Sequence, residues 1–264
     1  MKRLLLLCVC LASLASCNFQ RDKEHTEDNI YVHVNYKQKV NGYDVSASII
    51  TDSVREEYFA DIVTREAVLT FRKDNQKLTV LNPSYALKNF IGDTESLRKG
   101  MTIEAEYVPF KMSARNTLAG NKSPFFFFDV DFDGEQELVV CLWEEMGHRG
   151  HHAYEAYKIN TNANCCSLSP MQGKPFSELD DYTEFDPIHK TISVPYGVGL
   201  KMEGEKVYGL KDGTFALIER VQYDWEHTKG VKYEPCEPTI YHYKVIDGKE
   251  ILDRTERCPN DKQE

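Results

Sequence analysis

The stretch from Phe125 to Val140, FFFFDVDFDGEQELVV, constrains the fold of this chain more than any other part of it. An apolar run leads into an acidic turn in which aspartates alternate with apolar residues, and a second apolar run follows. This pattern predicts two buried strands joined by an acidic loop. Because buried neighbouring carboxylates repel one another and lose hydration, the stretch indicates that a hard cation neutralises them.

The acidic loop has the ligand spacing of a calcium loop. The predicted ligands are the carboxylates at loop positions 1, 3, 5 and 9 and the main-chain carbonyl at position 7, namely Asp129, Asp131, Asp133, Glu137 and Glu135. Gly134 at position 6 permits the sharp turn. Val140 takes position 12, where an EF-hand has a bidentate glutamate, and strands flank the loop, so an EF-hand is disfavoured. The alternative is an acidic, solvent-exposed hairpin turn without an ion.

The strand-flanked pattern Asp-x-Asp-x-Asp-Gly-x-x-Glu resembles the calcium loops of FG-GAP and VCBS-type β domains. A wider region, about Lys122 to Cys258, resembles bacterial lipoproteins with a β fold like the I-type lysozyme inhibitors. The calcium loop and the short strands after it, including the Tyr208…Asp212-Gly213 hairpin, carry this resemblance. Some members are immunity proteins against secreted cell-wall hydrolases, so the resemblance implies function by binding. It assigns no inhibitory residue here.

The N-terminus is organised as a bacterial export signal. A basic head at residues 1–3 precedes an apolar run from Leu4 to Leu14, which is too short to span a bilayer. The tetrad Leu14-Ala15-Ser16-Cys17 resembles a lipobox and predicts removal of residues 1–16 and lipidation of Cys17, with an ordinary signal peptide as the alternative. Residues 18–29 are almost entirely polar or charged, and a flexible tether is predicted over residues 17–29. The expected location is the outer membrane of a Gram-negative bacterium, facing the periplasm or the surface.

The charge balance limits the partners. The formal net charge is −10 at pH 7, and loss of Lys2 and Arg3 with the signal leaves a still more acidic chain. Such a chain repels phosphate backbones and anionic lipid headgroups, so nucleic-acid binding is disfavoured and membrane attachment is expected through the lipid alone. The expected partner is a protein, either a cell-wall hydrolase or a toxin, or a glycan.

The rest of the chain predicts a mainly β fold, either an antiparallel β-sandwich or a partial-propeller-like architecture with a few short helices. Alternating apolar runs are separated by Asn-Gly and Asp-Gly turns at short intervals. An N-terminal β region is predicted over residues 30–118 and a calcium-loop β domain over residues 119–264. Asp52–Ile62 fits a short helix as well as a loop, and a short helix is predicted over Pro175–Tyr182.

One disulfide is predicted from hairpin geometry. Asp247-Gly248 is a strong two-residue turn signal, and counting outward from it places Cys236 almost opposite Cys258. Two reduced cysteines are the alternative. The pairing of the cysteines at positions 141, 165 and 166 is left open.

The remaining acidic and histidine clusters give little support to catalysis. The loop at residues 144–152 carries glutamates and histidines without a known metal spacing and is interpreted as a polar loop rather than a second metal site. Asp180-Asp181 is interpreted as a solvated acidic face rather than a glycosidase pair or a cation site. No nucleophile elbow, P-loop or dinucleotide-binding pattern occurs in the sequence, so a non-enzymatic binding protein is expected. The alternatives are surface glycan binding or nutrient capture and, less favoured, a hydrolase.

Overall fold

The structure is a computed structural model that describes residues 30–56, 59–81, 100–119, 123–144, 152–162, 165–198, 201–224 and 238–256. The N-terminal sheet contains β1 (Ile30–Tyr36), β2 (Asp44–Glu56), β3 (Phe59–Lys73), β4 (Gln76–Leu81) and β5 (Met101–Ala105). The central sheet contains β6 (Phe125–Phe128), β7 (Glu137–Glu144), β8 (His152–Asn162) and β9 (Cys165–Pro170). The C-terminal sheet contains β10 (Glu184–Asp186), β11 (Thr191–Val198), β12 (Lys201–Lys211), β13 (Thr214–Asp224), β14 (Thr239–Ile246) and β15 (Lys249–Glu256).

The sheets are built mainly from neighbouring antiparallel strands. Their orders are β4-β3-β2-β1-β5, β6-β7-β8-β9 and β10-β11-β12-β13-β14-β15. Strands β1 and β5 pair in parallel, whereas the other named strand pairs are antiparallel. The predicted mainly β class is therefore confirmed. Within the described ranges no helix is long and apolar enough to cross a membrane.

The central sheet is covered on both of its faces, which explains its continuous apolar runs. Successive side chains of a strand point to opposite faces. Phe125 packs with the N-terminal sheet, where its ring lies 5.1 Å from that of Phe71. Phe126 and Phe128 face the C-terminal sheet, and the ring of Phe128 lies 5.1 Å from that of Phe185. The protein is thus three layers of sheet rather than two.

The predicted turns are confirmed by the backbone. Both residues of Asn41-Gly42 and of Asp247-Gly248 have positive φ, from 49° to 82°, as a type I′ hairpin turn requires. Strands β14 and β15 pair across the second of these turns.

Cys236 and Cys258 lie outside the described residues, as do Cys17, the signal and the tether, so the disulfide and the lipid anchor stay predictions. The proposed division at residue 118/119 also stays a prediction.

Two local predictions were wrong. Asp52–Ile62 is not a helix, because β2 ends and β3 begins within it and the two strands pair along this part of the chain. Its β-branched residues suit a strand. A short apolar pattern does not by itself distinguish a helix from a strand, and here the pairing of β2 with β3 determines the strand. The helix predicted over Pro175–Tyr182 is reduced to one 3₁₀ turn, Phe176–Glu178. Asp180 accepts a hydrogen bond from the backbone N–H of Tyr182 and so competes with a helix there.

Candidate metal centre

The acidic loop connects β6 to β7 and is closed by the pairing of Phe128 with Glu137. Phe132 adopts a left-handed backbone conformation with φ 62°, which is unusual for a bulky residue. Tertiary contacts hold it there, because its ring is buried and lies 6.1 Å from that of Phe215. Its carbonyl also accepts a hydrogen bond from Lys190 Nζ at 3.1 Å. The loop is therefore fixed to the C-terminal sheet.

The carboxylates of Asp129 and Asp133 accept hydrogen bonds from the backbone of the loop. Asp129 Oδ1 accepts a hydrogen bond from the N–H of Asp133 at 3.1 Å, and its Oδ2 accepts one from the N–H of Gly134 at 3.0 Å. Asp133 Oδ1 accepts a hydrogen bond from the N–H of Glu135 at 2.8 Å. These bonds turn the chain back so that the carboxylates approach one another.

Three of the predicted ligands converge. Asp129, Asp131 and Glu137 each offer a carboxylate oxygen, and these oxygens lie within 4.8 Å of one another. Glu137 is buried, and its Oε2 accepts a hydrogen bond from the N–H of Val130 at 3.0 Å. Asp131 Oδ1 is buried without a hydrogen-bond partner. An orphaned carboxylate oxygen beside two further carboxylates suits a hard cation with oxygen ligands, so this acidic cluster can hold a metal ion.

The other two predicted ligands lie outside the converging group. Within the part of the chain that the structure describes, that group does not include Asp133 or Glu135. The side chain of Glu135 is exposed, and the prediction that its carbonyl would serve at position 7 stays a prediction. The second carboxylate oxygen of Asp133 pairs instead with a lysine.

That lysine, Lys158 on β8, was not predicted from the sequence. Its Nζ lies 2.7 Å from Asp131 Oδ2 and 2.8 Å from Asp133 Oδ2. The hydrogen bond from Lys158 is the main reason why the pKa of Asp133 falls below its ordinary value. The same bonds raise the pKa of Lys158, so its ammonium is charged. No local signal marks this residue, because it reaches the loop only through the pairing of β7 with β8.

Burial makes Glu137 an unusual carboxyl group. Desolvation raises its pKa from the ordinary 4.5 to about 7, and the negative charges of Asp131 and Asp133 add to this effect. The hydrogen bond from Val130 opposes the rise but is outweighed. Without a metal ion, the Glu137 carboxyl group is therefore expected to titrate near neutral pH.

We expect the stability of the metal-free protein to fall as pH rises from about 4.5 to about 7. The folded state holds the Glu137 proton more tightly than the unfolded state, so this contribution favours folding at low pH and is lost through the folded pKa. Urea unfolding in EDTA at pH 5 and pH 8 measures the difference. Glu137→Gln should reduce the difference, whereas Glu135→Gln in the same loop should leave it unchanged. Equal pH dependence in the wild type and in Glu137→Gln would contradict the assignment.

A groove of about 570 Å³ adjoins the metal cluster. Its lining residues come from the acidic loop, β8, the end of β9 with the segment after it, and the β12–β13 hairpin. Its lining comprises Asp131, Asp133, Lys158, Asn160, Ser169, Pro170, Met171, Gln172, Lys174, Phe176, Leu210, Gly213, Thr214 and Phe215. Asp131 and Asp133 therefore belong both to the acidic loop and to the groove wall.

The expectation of a solvated face at Asp180-Asp181 was wrong for Asp181. This carboxylate is buried and accepts hydrogen bonds from the N–H and Nδ1 of His152, at 2.9 and 2.8 Å, and from the Tyr154 hydroxyl at 2.6 Å. Burial alone would raise the pKa of Asp181, but these bonds outweigh it and lower the pKa. Asp180 has a pKa raised by burial and accepts a hydrogen bond from the Thr183 hydroxyl at 3.0 Å. Asp180 thus bonds within its own loop, whereas Asp181 connects the loop after the 3₁₀ turn to β8.

The second candidate metal loop is only partly described. Residues 145–151 lie outside the described residues, and of the end of this loop the structure shows that His152 Nδ1 lies 2.8 Å from Asp181 Oδ2. The prediction of a polar loop at residues 144–152 therefore stays a prediction.

Fold and site together define a mainly β protein with an acidic cluster that can hold a metal ion. No family model matches the chain, and no curated protein matches it. Among solved structures, it is similar to a Xanthomonas type IV secretion system related protein, with 14% identity and a TM-score of 0.49. The match covers 84% of this chain and 93% of the other. At that TM-score the similarity carries no conclusion about function.

Proposed function

We propose that this protein is a lipid-anchored binding protein of the Gram-negative cell envelope, in which a calcium ion in the acidic loop shapes a recognition groove. The single observation that carries the proposal is the double placement of Asp131. Asp131 belongs to the carboxylate cluster and has one buried oxygen without a hydrogen-bond partner, and the same residue lines the groove. An ion that fixes Asp131 also fixes part of the groove wall.

The residues that would hold calcium are Asp129, Asp131 and Glu137. When bound, the ion would neutralise their charges and join them by oxygen coordination. Asp129 keeps the backbone of residues 133 and 134 turned toward the cluster through its two hydrogen bonds. Glu137 at the start of β7 connects the cluster to the buried central sheet, so the site is supported by the core.

We propose a secreted cell-wall hydrolase as the partner, with the protein acting as its inhibitor or immunity protein. The resemblance of the region from Lys122 to Cys258 to lysozyme-inhibitor-like lipoproteins supports this choice. The groove suits a protein partner, because the apolar rings of Phe176 and Phe215 stand beside polar groups such as Asn160 and Thr214. Lipidation of Cys17 would hold the inhibitor at the membrane where such an enzyme acts.

A glycan is the second candidate ligand, because the composition of the groove suits a glycan as well as a protein. Phe176 and Phe215 offer apolar surface, while Asn160 and Gln172 offer amide donors and acceptors in the same concave site. The two candidates are separated by the ligand that is captured. Peptidoglycan fragments binding in the absence of any enzyme would favour the glycan.

The test measures inhibition of an I-type lysozyme, and of any exported hydrolase encoded beside the gene, by the wild type in calcium and in EDTA. We expect calcium-dependent inhibition. Ser169→Arg, which introduces a bulky charge into the groove, should weaken inhibition roughly tenfold or more, as loss of a central contact does. Ser167→Arg is the matched control, because it is exposed on the same strand and outside the groove lining. Equal inhibition by both variants, or none by the wild type with any of these enzymes, would reject the proposal.

A further inference from the structure

We propose that Lys158 is a built-in counter-ion that occupies the acidic loop in the absence of metal and must leave the loop's carboxylates when calcium binds. The inference rests on the proposed calcium site. It adds a residue that makes the site a reversible switch rather than a permanent structural centre, and that sets how tightly the ion is held.

The first step of the argument is the position of the ammonium. Lys158 Nζ bridges Asp131 and Asp133 at 2.7 and 2.8 Å, two carboxylates that the loop spacing assigns as metal ligands. The two aspartate side chains are 14% and 40% exposed, so water screens the contact with Asp131 poorly. The lysine therefore supplies positive charge where the loop would otherwise carry unbalanced negative charge.

The second step is the division of the ligands into two sets. Asp129, Asp131 and Glu137 converge, whereas Asp133, the predicted ligand at position 5, is held by Lys158. Asp131 stands between the sets, with Oδ2 on the lysine and Oδ1 buried without a partner. The geometry thus matches a calcium loop in which one carboxylate is withheld by an internal cation.

The third step is electrostatic. A divalent cation held by Asp131 in the cluster and an ammonium bonded to Asp131 and Asp133 would repel each other strongly at a few ångströms. Lys158 is 42% exposed and sits at the groove, so its side chain has open space into which it can turn. Calcium binding must therefore displace the ammonium, and breaking its bonds weakens the apparent calcium affinity.

Isothermal titration with calcium tests the inference on the full chain. Lys158→Met keeps the length of the stem but removes the charge, and it should bind calcium about tenfold more tightly than the wild type. Lys158→Arg keeps the charge and should stay close to the wild type. Lys244→Met is the control, because Lys244 also pairs with a carboxylate on a strand, at 2.8 Å from Asp253, outside the loop.

A double-mutant cycle and a melting curve complete the test. In an Asp133→Asn background, Lys158→Met should change calcium affinity less than it does in the wild type, because the withheld ligand is already gone. In EDTA, Lys158→Met should melt at a lower temperature than the wild type. Wild-type calcium binding with no change in Lys158→Met would overturn this inference and leave the calcium site standing. Absence of binding in both proteins would overturn the site and the inference together.

Discussion

Phe126→Ala is expected to lower the free energy of unfolding by about 3–5 kcal/mol, the cost of truncating a packed core phenylalanine. Phe126 is fully buried in the cluster between the central and C-terminal sheets. Its ring stacks on that of Phe110 at 4.2 Å and meets that of Tyr154 edge-on at 5.8 Å. The surrounding strands are fixed by their ladders, so the cavity cannot collapse fully. Urea denaturation followed by circular dichroism measures the loss.

The control for this substitution is an exposed leucine. Leu252 on β15 is 52% exposed, so Leu252→Ala should change the free energy of unfolding by no more than about 0.5 kcal/mol. A loss for Phe126→Ala as small as that of the control would show that the C-terminal sheet does not cover this face of the central sheet.

Four consecutive phenylalanines could be recognised in the sequence as a buried strand, but not as the middle of three layers. Alternation sends Phe125 and Phe126 to different clusters, and each cluster includes residues far away in the chain. Which sheet covers which face depends on long-range pairing, which no local pattern contains. The same limit explains the wrong expectation at Asp52–Ile62, where pairing of β2 with β3 determines the structure.

The metal cluster was largely predictable because its ligands come from one loop. Spacing alone placed Asp129, Asp131 and Glu137 together, and their oxygens do converge. Lys158 could not be predicted, because it lies on another strand and reaches the loop only when β7 and β8 pair. The burial of Asp181 was missed for the same reason, since two of its partners are the His152 and Tyr154 side chains on β8. Ligands that come from one loop can be predicted from the sequence, whereas ion-pair and hydrogen-bond partners from other strands depend on the tertiary structure.

The largest effect expected at the metal centre is the loss of calcium-dependent stabilisation in Asp129→Asn. If calcium binds only the folded state, a hundredfold excess over Kd stabilises the wild type by about 2.7 kcal/mol. The substitution removes one charge from the cluster. It also replaces one of the two oxygens that accept the N–H groups of Asp133 and Gly134 with an amide nitrogen, which cannot accept a hydrogen bond. Most of the calcium-induced rise in melting temperature should therefore disappear.

Melting curves in EDTA and in excess calcium measure this effect against a variant of the same loop. Glu135→Gln also removes one negative charge, but its side chain is exposed and its backbone carbonyl is kept. It should therefore retain the calcium response of the wild type, and this separates coordination by Asp129 from a general dependence on the charge of the loop. Equal loss in both variants would favour nonspecific charge screening, and an unchanged response in Asp129→Asn would place the ion elsewhere. Because Asp129 hydrogen-bonds the loop backbone even without metal, the comparison uses the difference between the two conditions for each variant rather than its melting temperature in EDTA alone.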